Sequence, residues 1–504
     1  MGGGLAGMAA AAALGERGFR VELFEASRRL GGRAASFRDS VSGELVDCCQ
    51  HVSMGCSTNL ADFLRRTGTS DCFGRFRRLH FIGPDGKQYR FSSAPLLPAP
   101  LHLVPGLLRL GYLHFADRLR ILRTMSRLAK LPADLEDEAV TVGSWLRRQG
   151  EPDRAIERFW SVVLTSALSE TVDRASLAAA RKVFVDGFLA SRRAYELEIP
   201  RMPLEEIFDG RVAERLSQRG VTLHRGVRVE QIEGDARHAR SVVLSDGSRR
   251  PFDFFVVAVP WRAVGTLFPP TMLDELPSLA DVERIEPAPI TAVHLWFDRP
   301  ITRLPHAALV GRLSQWVFRG SRVAARGMVE GDSPIFAPRT SGQSPSCFSA
   351  GLERSELGHY YQVVVSASHE LVGCRSAEVV SRVRAELDAI WPAARQSRLL
   401  HSRVITHRAA VFSVQPGIDH LRPPQETAIK NLALAGDWTA TGWPATMESA
   451  VRSGYLAAEV ILNRTSPDNE HRLLTADLPM GRLARCLLKK AATRIHPGRR
   501  RVAS

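Results

Sequence analysis

Met1-Gly2-Gly3-Gly4-Leu5-Ala6-Gly7 is a loop of the form Gly-x-Gly-x-x-Gly, and it runs directly into an alanine-rich helical stretch, Ala9 to Leu14. Phe19 to Phe24 then reads as a strand and ends at the acidic Glu25. This order is that of a dinucleotide-binding βαβ unit without its first strand. Gly2, Gly4 and Gly7 allow a tight turn and close approach of backbone to a pyrophosphate. The helix start offers free N–H groups, and Glu25 can accept hydrogen bonds from a ribose. Taken alone the pattern is weak. The remaining contacts to a cofactor must come from elsewhere in the chain.

Two further motifs supply them. Leu30-Gly31-Gly32-Arg33 follows Glu25 closely, and its glycines let the chain pass under an anionic group while Arg33 meets phosphate. Near the other end, Leu432 to Ala435 is an apolar strand that delivers Gly436 and Asp437 to a sheet edge. Pro444-Ala445-Thr446-Met447 then opens a helix whose first amides, at Thr446 and Met447, face an electron-rich ring edge. Each motif suits a different part of one FAD molecule. The expected fold is mixed α/β, a Rossmann-like FAD-binding domain with an inserted substrate domain of sheet and helices.

These motifs resemble the flavoprotein superfamily of amine oxidases, phytoene desaturases and protoporphyrinogen oxidases over nearly the whole chain. The stretch Val46-Asp47-Cys48-Cys49-Gln50-His51 is similar to a segment of the hydroxysqualene dehydroxylases, formerly called squalene-associated FAD-dependent desaturases. Gly436 to Glu448 is similar to that family's C-terminal flavin motif, and Arg158-Phe159-Trp160 and Gln315 to Phe318 match its pattern. The resemblance implies reduction of hydroxysqualene to squalene by FADH2 with loss of water, in squalene and hopanoid synthesis. It also implies that the backbone at Val229 meets the adenine. Two departures stand out. The family has an apolar strand before its first glycine where this chain has only Met1, so the natural reading frame is expected to begin further upstream; the alternative is poor FAD binding. Cys49 stands where the family usually has glycine, and its side chain narrows the approach to that loop.

At 504 residues and 44% hydrophobic content, the chain can bury a large core and hold two or three domains. No apolar run of transmembrane length and no signal peptide is seen. The seven cysteines form no metal-like pattern and read as reduced cytosolic thiols. Net charge is +15, and eight cations without an acid lie between Gly481 and the end. Met480, Leu483, Ala484, Leu487, Ala491 and Ile495 recur beside them at helical spacing. This tail reads either as a basic amphipathic helix for an anionic membrane surface or as a disordered basic segment. No recognition motif accompanies the charge, so nucleic acid is not the expected partner.

The FAD-binding domain is expected from 1–90, 203–275 and 425–465, the substrate- and membrane-facing domain from 91–202 and 276–424, and the tail from 466–504. Within the first, Ser241 to Leu244 and Phe252 to Pro260 read as a hairpin about the Asp246-Gly247 turn. Helices are expected over 115–131 and 142–168, a strand over 291–297, and a loop insertion over 319–350. Residues 91–108 carry no formal charge but four prolines, so they form a buried loop or a surface that dips into lipid.

The expected substrate is a hydrophobic isoprenoid. At ~0.8 kcal/mol per buried CH2, a triterpene in water costs on the order of 20 kcal/mol, which favours passage from lipid straight into an apolar tunnel. The enzyme is therefore expected in the cytoplasm, docked peripherally on the inner face of the cytoplasmic membrane. The catalytic candidates are His51 as proton donor, with Asp47 and Gln50 fixing its tautomer or binding the hydroxyl. Trp160, Trp316, Phe318 and Trp443 offer faces to a developing cation. A carotenoid-type desaturase is the alternative within the flavoenzymes, and a flavin-free membrane-associated remnant is the alternative outside them.

Overall fold

A computed structural model describes residues 1–132, 139–320, 358–466 and 470–488. Most of the expected 319–350 insertion lies outside these residues, as do Ala491 and Ile495. The helix Leu5–Gly15 is buried from Leu5 to Leu14, which explains its composition: alanine is the one good helix former small enough for close approach on every side. It packs against the C-terminal helix Met447–Thr465. At Gly454 the two come so near that a Cβ would lie 2.2 Å from the Ala6 carbonyl oxygen and 3.0 Å from the Ala10 nitrogen.

Beside these helices lie two parallel strand pairs, Glu22–Glu25 with Thr222–Arg225 and Phe255–Val257 with Leu432–Leu434. Met1 and Gly2 bridge them. The Met1 amine donates to Val256 O at 2.9 Å, Ala258 N donates to Met1 O at 2.9 Å, and Gly2 N donates to Phe24 O at 2.8 Å. A two-residue contact thus occupies the place expected of a central strand.

The substrate side rests on a seven-stranded sheet, in the order Leu399–Phe412, Pro287–Phe297, His359–Ser366, Trp316–Arg319, His306–Leu309, Leu79–Ile82 and Gln88–Phe91. The expected strand at 291–297 is its longest-buried member. The last two strands correct the expected boundary at residue 90: they continue the substrate sheet, with Ala308 paired to Phe81. The expected hairpin is also re-partnered. Ala239–Leu244 pairs with Val229–Gly234 and Arg249–Pro251, while Phe255–Val257 returns to the parallel layer. Alternation within 252–260 fits either sheet, and only the long-range partner decides.

The helix Phe115–Lys130 forms as expected. The stretch 142–168 breaks into Val142–Arg148, Asp153–Ala155, a π-helical Ile156–Trp160 and Ser161–Leu168. Gly150, at φ 80°, and Pro152 end the first of these. Nor is 470–488 a loose tail. Leu473 enters the core beneath the C-terminal helix, and Ala484 and Leu488 pack against Ala99, Val185 and Leu189. Part of the expected lipid-facing stripe is thereby spent on the protein itself.

Candidate functional site

The glycine loops meet one another. Gly31 N donates to Gly3 O at 2.9 Å, and a Cβ on Gly32 would lie 3.1 Å from the Gly4 Cα. Both Gly4 and Gly32 border a cavity of about 1190 Å³, so backbone rather than side chain forms its wall at this point. Gly2, Glu25, Arg33, Val229, Gly436, Asp437, Thr446 and Met447 border it as well. Gly7 does not. It lies beneath the loop, where a Cβ would sit 1.9 Å from the Gly2 carbonyl oxygen, and its role is close packing of helix on turn.

Arg33 and Asp437, 404 positions apart, form an ion pair, and Arg33 also donates to Ala410 O at 2.9 Å. Arg33 was expected to meet phosphate and here has protein partners; its remaining donors stay available. Glu25 accepts from Gly3 N at 2.7 Å and Ser27 N at 2.8 Å, which fixes the carboxylate at the end of its strand. Thr446 caps the C-terminal helix by accepting from Ser449 N at 3.1 Å. This set fits FAD: bare backbone and a helix start for the pyrophosphate, a carboxylate for the ribose, and a second helix start for the ring.

The catalytic candidates divide. Gln50 and His51 border the cavity, as do Cys48, Cys49 and Cys56, whereas Asp47 does not. Asp47 accepts from Ser36 Oγ at 2.7 Å and Leu204 N at 2.8 Å, tying its strand to the start of a helix. Its expected link to His51 is therefore corrected: His51 Nδ1 lies 2.9 Å from Cys49 O. A carbonyl only accepts, so Nδ1 carries the proton and Nε2 keeps its lone pair. Burial also lowers the His51 pKa, which keeps the ring neutral near pH 7. In this state His51 is set to take a proton, not to give one. Gln50 donates from Nε2 to His51 O at 3.2 Å.

Burial raises Asp47 from its ordinary value near 3.8 to about 6, against the hydrogen bonds from Leu204 and Ser36 that favour the anion. The folded state thus holds this proton after the unfolded chain has released it. Stability contributed by the neutral acid is complete below pH 4 and is lost between pH 4 and 6, about 3 kcal/mol in all. Asp47→Asn keeps an acceptor for Leu204. Its unfolding free energy is expected to gain on the parent's across that window and stay ahead above it, as chemical denaturation at pH 4 and pH 8 would reveal.

Among the aromatic candidates, Trp316, Phe318 and Trp443 border the cavity. Trp160 is wholly buried against Phe159 and Phe184 and serves as core. Sequence reasoning missed Lys182 and Asp186, which border the cavity from the helix Leu177–Phe184 and the π-helical turn Val185–Leu189 that follows it. Their four-residue spacing, with only Val183, Phe184 and Val185 between them, was the available signal.

The sequence profile of the flavin-containing amine oxidoreductases matches residues 5–462. This chain belongs to that family. Like the rest of the family it is an FAD-dependent oxidoreductase. The chain is 26% identical to a hydroxysqualene dehydroxylase of Sinorhizobium fredii over 92% of this chain and 98% of that protein. To the 15-cis-phytoene desaturase of Solanum lycopersicum it is 25% identical, over 92% of this chain and 76% of the relative. Its fold is similar to that of an oxidoreductase from Methanosarcina mazei, with a TM-score of 0.65 at 17% identity, covering 90% of this chain and 97% of the other.

Proposed function

We propose that this flavoenzyme reduces an allylic isoprenoid alcohol, hydroxysqualene, to the hydrocarbon squalene with loss of water, while docked on a membrane surface. The observation that carries the reading is the continuity of one cavity from the glycine loops to an apolar wall of Phe81, Phe91, Leu103, Leu107, Leu110 and Phe159. That wall suits a long hydrocarbon. The match to nearly the full length of the hydroxysqualene dehydroxylase supports the same reading.

FAD bound in the cavity supplies the hydride. Gly4, Gly32 and the start of the helix Leu5–Gly15 would hold the pyrophosphate, and Glu25 would orient the ribose. Thr446 and Met447 would present amides to the ring, and Trp316, Phe318 and Trp443 line the same cavity. The apolar wall excludes water and positions the chain of the substrate.

The second reading, a carotenoid-type desaturase, is favoured by one observation. His51 has a free lone pair on Nε2, which suits removal of a proton from a hydrocarbon. Product mass decides between them. Holoenzyme with reduced FAD and hydroxysqualene is expected to yield squalene, and holoenzyme under oxidising conditions is expected to leave phytoene unchanged. Desaturated products from phytoene, with no squalene from the alcohol, would overturn the first reading.

Membrane docking rests on the residues around the tunnel. Leu103, Val104 and Leu107 border the cavity, while Leu96 and Leu101 of the same uncharged segment are exposed, Leu96 at 94%. Leu122 and Met125 border it from a helix whose Phe115 and Leu119 are exposed. No helix among the described residues is long and apolar enough to cross a membrane, so the attachment is one of shallow insertion. The inner face of the cytoplasmic membrane is the proposed site. Each large apolar side chain is worth about 1.5–3 kcal/mol on burial. Leu96→Glu with Phe115→Glu is expected to cut cosedimentation with anionic liposomes by on the order of a hundredfold. Unchanged cosedimentation would remove this part of the proposal.

A further inference from the structure

Reductive dehydroxylation needs a proton for the departing oxygen, and the geometry leaves it without the expected donor. Asp47 lies off the cavity, and His51 holds its one proton against Cys49 O. Cations do border the cavity. Arg158 is among them, but a guanidinium does not give up a proton. Lys182 is different. Its Nζ lies 4.8 Å from the centre of the Trp443 ring and donates to Asp186 Oδ2 at 2.8 Å. Both partners border the cavity, and Trp443 belongs to the stretch that leads into the capped helix start at Thr446. The widened turn Val185–Leu189 is π-helical, a local irregularity that recurs where side chains are re-aimed for function.

We propose that Lys182 is the proton donor of the reaction, its ammonium gripping the leaving hydroxyl from its place over the Trp443 ring. This assignment rests on the dehydroxylation reading. The substrate C–O bond breaks, and the hydride pair from FADH2 forms the new C–H bond. The Lys182 proton joins the departing oxygen to give water. Carbon is reduced and FADH2 is oxidised to FAD, and the second hydrogen of the cofactor leaves as the proton that restores Lys182 through solvent. Asp186 accepts from the ammonium, Cys56 lies within its electrostatic reach, and Arg452 also lies over the Trp443 ring, 5.5 Å from its centre. Asp186 holds the amine in place between turnovers.

The test uses flavin-loaded protein and two variants. Hydroxysqualene binding is followed by perturbation of the visible flavin band of the oxidised holoenzyme, and squalene formation by single turnover after reduction. Lys182→Arg keeps the cation but cannot release the proton. It is expected to bind the alcohol within about threefold of the parent and to lose turnover by on the order of a hundredfold or more. Lys182→Ala is expected to lose turnover equally, to bind on the order of tenfold more weakly, and to recover rate when ethylammonium is added. A purely structural lysine would show no such rescue. Full turnover in either variant, or absence of rescue with flavin content intact, overturns the assignment. Failure of the parent itself to form squalene overturns the dehydroxylation reading instead, so the two failures are told apart.

Discussion

Gly7→Ala is expected to leave the protein largely without flavin. The new methyl falls 1.9 Å from the Gly2 carbonyl oxygen, well inside the contact distance of carbon and oxygen. Gly2 cannot easily retreat. Its N–H is held by Phe24 O at 2.8 Å, and Met1 beside it is tied to Val256 and Ala258 at 2.9 Å. Helix propensity alone would favour the change by about 1 kcal/mol. Overpacking costs about 1–3 kcal/mol or more, so the clash wins. Relief requires the loop to swing, which turns the amide of Gly4 away from the pyrophosphate position. The purified variant is expected to show a visible flavin absorption at least tenfold below the parent's, with a reduced thermal midpoint. Full flavin content would mean that this loop does not hold the cofactor.

Glu448→Leu is expected to cost more in stability than any other change considered. The helix Thr58–Arg66 has no side-chain cap of its own. Glu448, 1% exposed, provides one from the far end of the chain. Its carboxylate accepts from Leu60 N at 2.7 Å, from Asn59 N at 3.2 Å and from Asn59 Nδ2 at 3.0 Å, and pairs with the buried Arg452. Leucine fills the volume but abandons buried amides and leaves Arg452 with Asp477 alone. Breaking a buried pair in this way costs about 3–5 kcal/mol. A markedly lower denaturation midpoint is expected, while Glu448→Gln, which keeps an acceptor, loses roughly half as much. Equal midpoints for leucine and glutamine would show that the hydrogen bonds contribute little.

The flavin half of the fold was legible because its chemistry leaves local marks. Gly4, Gly32, Gly436 and the Thr446 cap are each dictated by backbone geometry within a few residues, and the cavity borders all four. What was not legible depends on partners far away. Phe255–Val257 reads as a strand, but nothing in its alternation says which sheet receives it, and Leu79–Ile82 joins the substrate sheet only through a partner more than two hundred residues away. Asp47 was misjudged because an acid at a strand end suits a tether as well as a reaction, and only Leu204 distinguishes them. The stripe at 480–487 was periodic as read, yet periodicity cannot say whether Ala484 meets lipid or Ala99. Lys182 and Asp186 stand at helical spacing, but an i, i+4 pair of opposite charges is equally the mark of a solvated helix face.

The Arg33–Asp437 pair and the seating of Gly454 on Ala6 join the two ends of the chain. Closing a loop of that span is entropically slow, and no ribosome can hasten it. The nascent polypeptide must therefore wait, with its first glycine turn made and useless, until the segment from Asp437 to Gly454 has been made. Cofactor capture consequently follows the making of that segment, and until then the unfinished chain exposes apolar surface that the complete fold buries.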